Sequence, residues 1–127
     1  MFEVLSVGAG GALGCIIRYL TTKISCELMP GFPWGTLFVN AAAGLAMGML
    51  MGLTAQTDSL SERTRLFVVV GIIGGMSTYS AFSAETFSML QEHQYLLALG
   101  NIFLNTSLSL SMVALGWWLM TSLVEAR

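Results

Sequence analysis

Uncharged hydrogen-bond donors recur at helical spacing inside the apolar stretches of this chain. Asn101, Asn105 and Ser109 follow one another four residues apart, and Asn40 is the one strongly polar side chain in another apolar run. Amide and hydroxyl donors can replace the water shell of a small anion without trapping it beside a fixed positive charge. The same side chains can instead hold membrane helices together, at about 1 kcal/mol for each pair. The pattern therefore predicts either an anion pathway or polar contacts between helices.

The segment "GGMSTYSAFSAETF", which begins at Gly74, interrupts a third apolar run. Paired glycines are poor helix formers, and the hydroxyls of Ser77 and Thr78 can pair backbone groups that a break leaves open. Non-helical backbone at membrane depth is tolerated only inside protein or beside water or an ion. Carbonyls freed at the end of a half-helix suit a small cation such as Na+. A glycine-softened kink with ordinary packing explains the segment equally well.

An aromatic face follows the interruption. Tyr79, Phe82 and Glu85 recur every three residues, beside a face of hydroxyls that includes Ser80. Such a stripe usually belongs to a core, but aromatic ring edges are electropositive and can also contact an anion. The Glu85 carboxyl is either a proton site, as intramembrane acids often are, or a bridged or solvated group near the helix end. Arg18, near the end of the first apolar run, would concentrate anions at an entrance.

The distribution of charge defines the helices that must position these groups. Of 127 residues, 55% are hydrophobic and 9% are charged, against roughly 25% charged in an average soluble domain. Asp, Glu, Lys and Arg are absent from residues 28–57, 66–84 and 93–124, and each gap can hold a span of about 20 residues. We predict an all-α membrane protein with one domain, 1–127, and a third helix broken near its middle. Its helices are expected at about 4–22, 34–54, 66–90 and 95–123.

Four spans leave no room for a soluble catalytic or nucleic-acid-binding domain. Cys15 and Cys26 have no metal-type spacing, and the sole histidine, His93, has no acidic or cysteine partner at ligand spacing. The sequence contains no nucleotide-binding loop and no basic cluster. We therefore expect no enzyme activity and no nucleic-acid partner, and we interpret both cysteines as small apolar fillers.

Positive charge gives only a weak indication of orientation. Arg63, Arg65 and Arg127 lie on one side of the four predicted spans, and Arg18 and Lys23 lie on the other. The side richer in Lys and Arg normally faces the cytoplasm, so a difference of one hardly fixes a direction. A chain with so small a bias can insert both ways, which permits an antiparallel two-fold dimer.

Glycines at four-residue intervals predict close packing between the helices. Small residues at this spacing let helix backbones approach each other. Such faces occur in membrane helices of every function, so they predict packing surfaces only. They are Gly10 and Gly14, then Gly44, Gly48 and Gly52, then Gly71 and Gly75.

Four segments, in this order, resemble one known family: "GGALGCIIRY", "GTLFVNAAAG", "GGMSTYSAFSAETF" and "ALGWW". Over nearly its whole length the chain is similar to the small bacterial fluoride channels of the Fluc or CrcB family. The resemblance implies an antiparallel, dual-topology homodimer of four-helix subunits in the bacterial inner membrane, with two fluoride pathways. It also implies one Na+ at the dimer centre, bound by the backbone carbonyls of Gly74 and Ser77.

The resemblance also implies roles for single side chains. The family's two pore phenylalanines correspond to Tyr79 and Phe82, and its pore asparagine corresponds to Asn40. Its vestibule arginine corresponds to Arg18 and its third-helix glutamate to Glu85.

Three positions depart from the family's pattern. Tyr79 keeps an electropositive ring edge but adds a hydroxyl, while Ala81 and Val113 replace hydroxyl residues of the family's polar track. The residues that remain to form this track are Ser80, Asn105 and Ser109.

The implied function is passive export of fluoride from the cytoplasm, without ATP. Two other functions stay open. A proton-coupled small transporter would use Glu85, although such carriers need an acidic residue in the first helix, where only Glu3 occurs at the extreme end. A non-transporting membrane assembly subunit would need only the glycine faces and the polar helix contacts.

Overall fold

The computed structural model describes residues 1–57 and 60–126, and these form a bundle of four long helices. All four helices are long and apolar enough to cross a membrane, which confirms the predicted number of spans. Asp58, in the charged loop before the third helix, and Arg127, used above for orientation, lie outside the described residues. The helices are α1 (Phe2–Leu28), α2 (Trp34–Gln56), α3 (Glu62–Gln91) and α4 (Tyr95–Glu125).

Short turns join the helices where the sequence contains residues that end a helix. Gly31 has φ 97° between α1 and α2, and Pro33 is the N-cap of α2. Proline suits a helix start because the first turn has N–H groups with no intrahelical partner. Between α3 and α4, His93 has φ 60°, and the Gln94 N–H donates to the Met89 carbonyl at 2.8 Å. These turns set neighbouring helices antiparallel.

The third helix changes its hydrogen bonding along its length. A π-helical segment, Leu66–Ile73, leads into a short α-helical turn, Gly74–Met76. Ser77 (φ −73°, ψ 149°) and Thr78 (φ −150°, ψ 118°) are extended, and the α-helix resumes over Tyr79–Gln91. The helix bends by only 9° overall.

The predicted break of the third helix near its middle is therefore not confirmed. Gly74 is helical, with φ −63° and ψ −36°, so the paired glycines do not open the helix. Only Ser77 and Thr78 leave the helical conformation, and the two halves of α3 remain nearly collinear.

Glycine faces bring the helix pairs into backbone contact, as predicted. Where α1 crosses the first half of α3, a β-carbon on Gly71 would lie 2.8 Å from Gly10 Cα. A β-carbon on Gly75 would likewise lie 2.7 Å from the Gly11 carbonyl oxygen. Between α2 and α4, a β-carbon on Gly44 would lie 2.8 Å from the Ser109 carbonyl oxygen. Small residues are therefore required at both crossings.

The interior of the bundle is small. Its buried apolar residues include Leu37, Val39 and Ala43 on α2, Ile73 on α3 and Ala98 on α4. Many large apolar side chains on the outer faces of the helices are exposed. Exposed apolar faces suit helices surrounded by lipid, which is as apolar as leucine.

Both cysteines lie on the outer surface of α1. Cys15 and Cys26 are unbridged and exposed. They do not fill gaps in the interior of the chain, so their interpretation as packing residues is wrong.

Candidate functional site

We call the two extended residues of α3, Ser77 and Thr78, the interruption. Asn40 of α2 completes its hydrogen bonding. Its Oδ1 accepts from the Thr78 N–H at 2.9 Å, and its Nδ2 donates to the Thr78 carbonyl at 3.3 Å. A side-chain amide thus pairs both backbone groups of an extended residue. Because unpaired backbone groups are costly at membrane depth, this contact explains why the interruption is stable there.

Side chains divert two helical hydrogen bonds at the same place. In a continuous α-helix the Thr78 N–H would donate to the Gly74 carbonyl, and the Ala81 N–H would donate to the Ser77 carbonyl. Here Thr78 donates to Asn40, and Ala81 donates to Thr78 Oγ1 at 3.2 Å. The Gly74 and Ser77 carbonyls therefore lose their usual donors, and both residues are exposed. Carbonyl oxygens in this state are suitable ligands for a small cation.

Arg18 contacts the carbonyl between these two positions. Its Nε donates to the Gly75 carbonyl at 3.3 Å, and its Nη2 lies 3.7 Å from Cys15 Sγ. The guanidinium therefore ties α1 to the end of the first half of α3. Arg18 approaches the interruption from this side and does not line the groove described below.

A chain of side-chain amides continues from Asn40 through α4. Asn40 Nδ2 donates to Asn105 Oδ1 at 3.0 Å, and Asn105 Nδ2 donates to Asn101 Oδ1 at 2.7 Å. Asn101 Nδ2 donates to Thr86 Oγ1 at 2.9 Å, and the Thr86 hydroxyl donates to the Phe82 carbonyl at 2.8 Å. We call Asn40, Asn105, Asn101 and Thr86 the amide relay. It starts at the interruption of α3 and ends on the second half of the same helix.

A groove of about 480 Å³ lies beside the relay, between α2, α3 and α4. Tyr79 and Phe82 form an aromatic pair along it, with ring centroids 5.5 Å apart and planes inclined by 58°. Phe82 is buried, whereas Tyr79 is 81% exposed, so the groove is open on the Tyr79 side. Its polar lining residues are Asn40, Ser77, Thr78, Asn105, Thr106 and Ser109.

The donors that face the groove differ in availability. An amide nitrogen has two hydrogens, and Asn40 uses both, one for Thr78 and one for Asn105. Asn105 also uses both, for Asn101 Oδ1 and for the Asn101 carbonyl at 3.3 Å. Within the described residues, four hydroxyls of the groove have no hydrogen-bond partner. Three are the aliphatic hydroxyls of Ser77, Thr106 and Ser109, and the fourth is the phenolic hydroxyl of Tyr79.

Besides Arg18 and Gly74, two predicted site residues do not line this groove. Ser80 is exposed, and its hydroxyl shares a 3.2 Å hydrogen bond with Thr78 Oγ1. Glu85 lines a second cavity of about 620 Å³ near the turn between α1 and α2. There Thr36 Oγ1 donates to Glu85 Oε1 at 2.5 Å, while the buried Oε2 has no hydrogen-bond partner in the described part of the chain. The polar residues thus form two groups, one at the groove and its interruption and one around Glu85 and Thr36 at the second cavity.

Comparison with known proteins decides the family. The family described as "CrcB-like protein, Camphor Resistance (CrcB)" matches residues 5–117. This chain belongs to that family. The predicted family is therefore confirmed.

Relatives of this CrcB-like chain carry the name fluoride-specific ion channel FluC. The relative from Rhizobium meliloti (strain 1021) is 38% identical, over 98% of this chain and 100% of its own length. The relative from Pyrococcus furiosus is 42% identical over 91% and 93%, and that from Escherichia coli O1:K1 / APEC is 37% identical over 95% and 96%. With a family of ion channels and four spanning helices, the chain is a multi-pass protein of the bacterial plasma membrane and not an enzyme.

Sequence reasoning missed two polar residues of this CrcB-like chain. Thr36 is buried against Glu85, and Thr86 joins Asn101 to the backbone of α3. A signal was present for Thr36, which lies four residues before Asn40 and so shares its helix face. Asn101 was expected to stand with Asn105, but its partner on α3 was not predictable from spacing within α4.

Proposed function

We propose that this protein is a fluoride channel whose pathway follows the groove between α2, α3 and α4. The observation that carries this proposal is the set of unpaired hydroxyls beside the Tyr79 and Phe82 rings. Hydroxyl donors and electropositive ring edges can replace the water shell of a small anion. The groove has no cationic side chain among its lining residues, so an anion would not be held there by a full positive charge. The names of the relatives support fluoride as the ion.

The hydroxyls and the amides of the groove have different roles in conduction. The hydroxyls of Ser77, Thr106 and Ser109 can turn to donate to a passing ion, since hydroxyl rotors are free to suit a partner. The amides of Asn40 and Asn105 keep the groove in shape, because their hydrogens already have acceptors. Flow is passive and follows the electrochemical gradient, which gives export when fluoride accumulates in the cytoplasm.

The active unit that we propose is an antiparallel homodimer with two such pathways. The weak charge bias permits insertion in both orientations. The groove is open beside Tyr79, so a second chain could cover it. Two-fold symmetry would then give two equivalent grooves.

We also propose that one Na+ binds between the two chains. The Gly74 and Ser77 carbonyls fit this ion because side chains have taken their helical donors and because both residues are exposed. A two-fold related chain would add an equivalent pair of oxygens. When bound, Na+ would neutralise the partial negative charge that these carbonyls carry.

Efflux from liposomes tests the proposed function. We expect purified protein in KF-loaded liposomes to release fluoride rapidly once valinomycin carries the balancing K+, and to release little chloride from KCl-loaded liposomes. Ion-selective electrodes measure both. Release that required an imposed pH gradient would indicate a proton-coupled carrier using Glu85. A folded protein that released no fluoride would contradict the channel and favour an assembly subunit.

Replacing Phe82 with isoleucine is expected to lower the fluoride efflux rate by at least about tenfold. Isoleucine keeps an apolar side chain in the groove but has no electropositive ring edge to offer the anion. Phe87→Ile, at an exposed position of the same half-helix, serves as the matched control and should conduct normally. Both variants should elute as dimers in gel filtration. An unchanged efflux rate for Phe82→Ile would remove this ring from the pathway.

A further inference from the structure

We infer that Thr86 and Asn101 are positioning residues of the pathway, which orient Asn105 and, through it, Asn40. Neither residue lines the groove. Asn101 is 0% exposed and Thr86 is 7% exposed, so they act from inside the bundle. The inference rests on the proposed function for its effect on conduction.

The hydroxyl of Thr86 sets the direction of the whole relay. It has one hydrogen, which it donates to the Phe82 carbonyl, so towards Asn101 its oxygen can only accept. Asn101 must therefore turn its NH2 group to Thr86 and its oxygen to Asn105. The same requirement passes along the chain: Asn105 must turn its oxygen to Asn40.

The other end of the relay imposes the same direction. The Thr78 N–H can only donate, so Asn40 must present Oδ1 to it and keep Nδ2 for Asn105. Five hydrogen bonds thus run in one sense from a backbone N–H to the carbonyl of Phe82. Hydrogen bonds aligned in this way strengthen one another in a low-dielectric interior. A single amide turned over would place oxygen against oxygen, or N–H against N–H, and would leave these polar groups without their partners.

Loss of the Thr86 hydroxyl removes one of these two constraints. In Thr86→Val the Asn101 NH2 group has no acceptor, and Asn101 and Asn105 can turn over at lower cost. Asn40 is then held less firmly, and with it the backbone of Thr78 and the shape of the groove. Thr86→Ser restores the hydroxyl. Thr121→Val is the matched control, because within the described residues the Thr121 hydroxyl bonds only to carbonyls of its own helix, at 3.0 Å.

Hydrogen exchange tests the relay independently of conduction. We expect Thr86→Val to raise the exchange rate of the Thr78 N–H about tenfold, although Thr86 is linked to Thr78 only through the amides of the relay. Thr86→Ser and Thr121→Val should exchange at the original rate. Mass spectrometry of a peptide that spans the interruption, read at the resolution of single amides, measures this. Equal exchange in Thr86→Val and in the original protein would overturn the relay.

Efflux at low protein density tests the effect on the pathway. The fraction of liposomes that empty reports the active protein, and the rate constant reports the turnover of each channel. We expect Thr86→Val to lower the rate constant about tenfold with an unchanged fraction, and Thr86→Ser to restore it to within about twofold. A smaller fraction with an unchanged rate constant would mean that Thr86 serves stability only, which overturns positioning.

The two measurements separate failure of this inference from failure of the proposed function. Absence of fluoride release from the original protein, together with coupled exchange at Thr78, would refute the channel and leave the relay in place. Normal release with neither exchange nor rate altered in Thr86→Val would leave the channel in place and refute the positioning role.

Discussion

Asn40→Leu is expected to reduce the fluoride efflux rate at least about a hundredfold, the largest effect that we predict for a single side chain. Leucine has a similar size but cannot pair the Thr78 N–H, the Thr78 carbonyl or Asn105 Oδ1. Three hydrogen bonds therefore disappear where α2, α3 and α4 meet. The backbone of Thr78 is left with two unpaired groups at membrane depth, each costing several kcal/mol.

The chain has one simple way to relieve this cost. The Thr78 N–H can return to the Gly74 carbonyl, as in a continuous α-helix. That change closes the interruption and occupies one of the two oxygens proposed to bind Na+. We therefore expect Asn40→Leu to lose the proposed Na+ dependence of dimer stability together with fluoride conduction.

Efflux from KF-loaded liposomes and gel filtration with and without Na+ measure both effects of Asn40→Leu. Thr54→Val is the matched control on α2, because in the part of the chain that the structure describes the Thr54 hydroxyl bonds only to carbonyls of its own helix, at 2.9 and 3.2 Å. This control should conduct and assemble normally. Normal efflux from Asn40→Leu would show that the pathway does not require the amide.

The number of spans was predictable because charge is costly in hydrocarbon. Three long runs without Asp, Glu, Lys or Arg leave little choice of where helices cross, and each run lies mostly in one of the long helices, as does the apolar stretch that precedes them. The ends of the helices followed the same logic less well. α1 continues to Leu28, beyond the predicted end at about residue 22. The prediction stopped early because the last turns of α1 carry charged residues, which lie outside the apolar window.

The break predicted in the third helix was not confirmed, and only Ser77 and Thr78 are extended. Glycine disfavours helix by about 1 kcal/mol, and this preference is weak beside tertiary contacts. Gly75 remains helical, and α1 packs against it at a distance that only glycine allows. The helix opens instead at Ser77 and Thr78, where Asn40 supplies hydrogen bonds from another helix. A partner that lies 38 positions away in the sequence leaves no local signal.

The amide relay shows that local sequence patterns could not predict the hydrogen bonds of the site either. Spacing on α4 correctly grouped Asn101 with Asn105, since residues four apart share a helix face. Spacing could not show that their hydrogens would be used by neighbouring amides, or that hydroxyls would remain as the available donors of the groove. That distinction depends on how closely α2 and α4 pack, which the glycines determine.

Gly48→Ala is expected to destabilise the folded chain by about 3 kcal/mol, through overpacking of backbone against backbone. A β-carbon on Gly48 would overlap the Val113 carbonyl oxygen and would lie 2.9 Å from Val113 Cα. Neither atom belongs to a flexible side chain that could move aside. The two helices must therefore separate, which also lengthens the 3.0 Å bond between Asn40 and Asn105.

A second glycine provides the matched control for Gly48→Ala. Gly100 on α4 has no atom within 4 Å of the place where its β-carbon would lie. Both substitutions gain the same intrinsic helix propensity, so the difference between them isolates the clash. We expect Gly100→Ala to be recovered as a monodisperse protein with at least the original thermal stability, and Gly48→Ala to aggregate or unfold at lower temperature. Equal stability of the two variants would mean that α2 and α4 pack less closely than described. The hydrogen bond from Asn40 to Asn105, which depends on that contact, could not then hold the relay together.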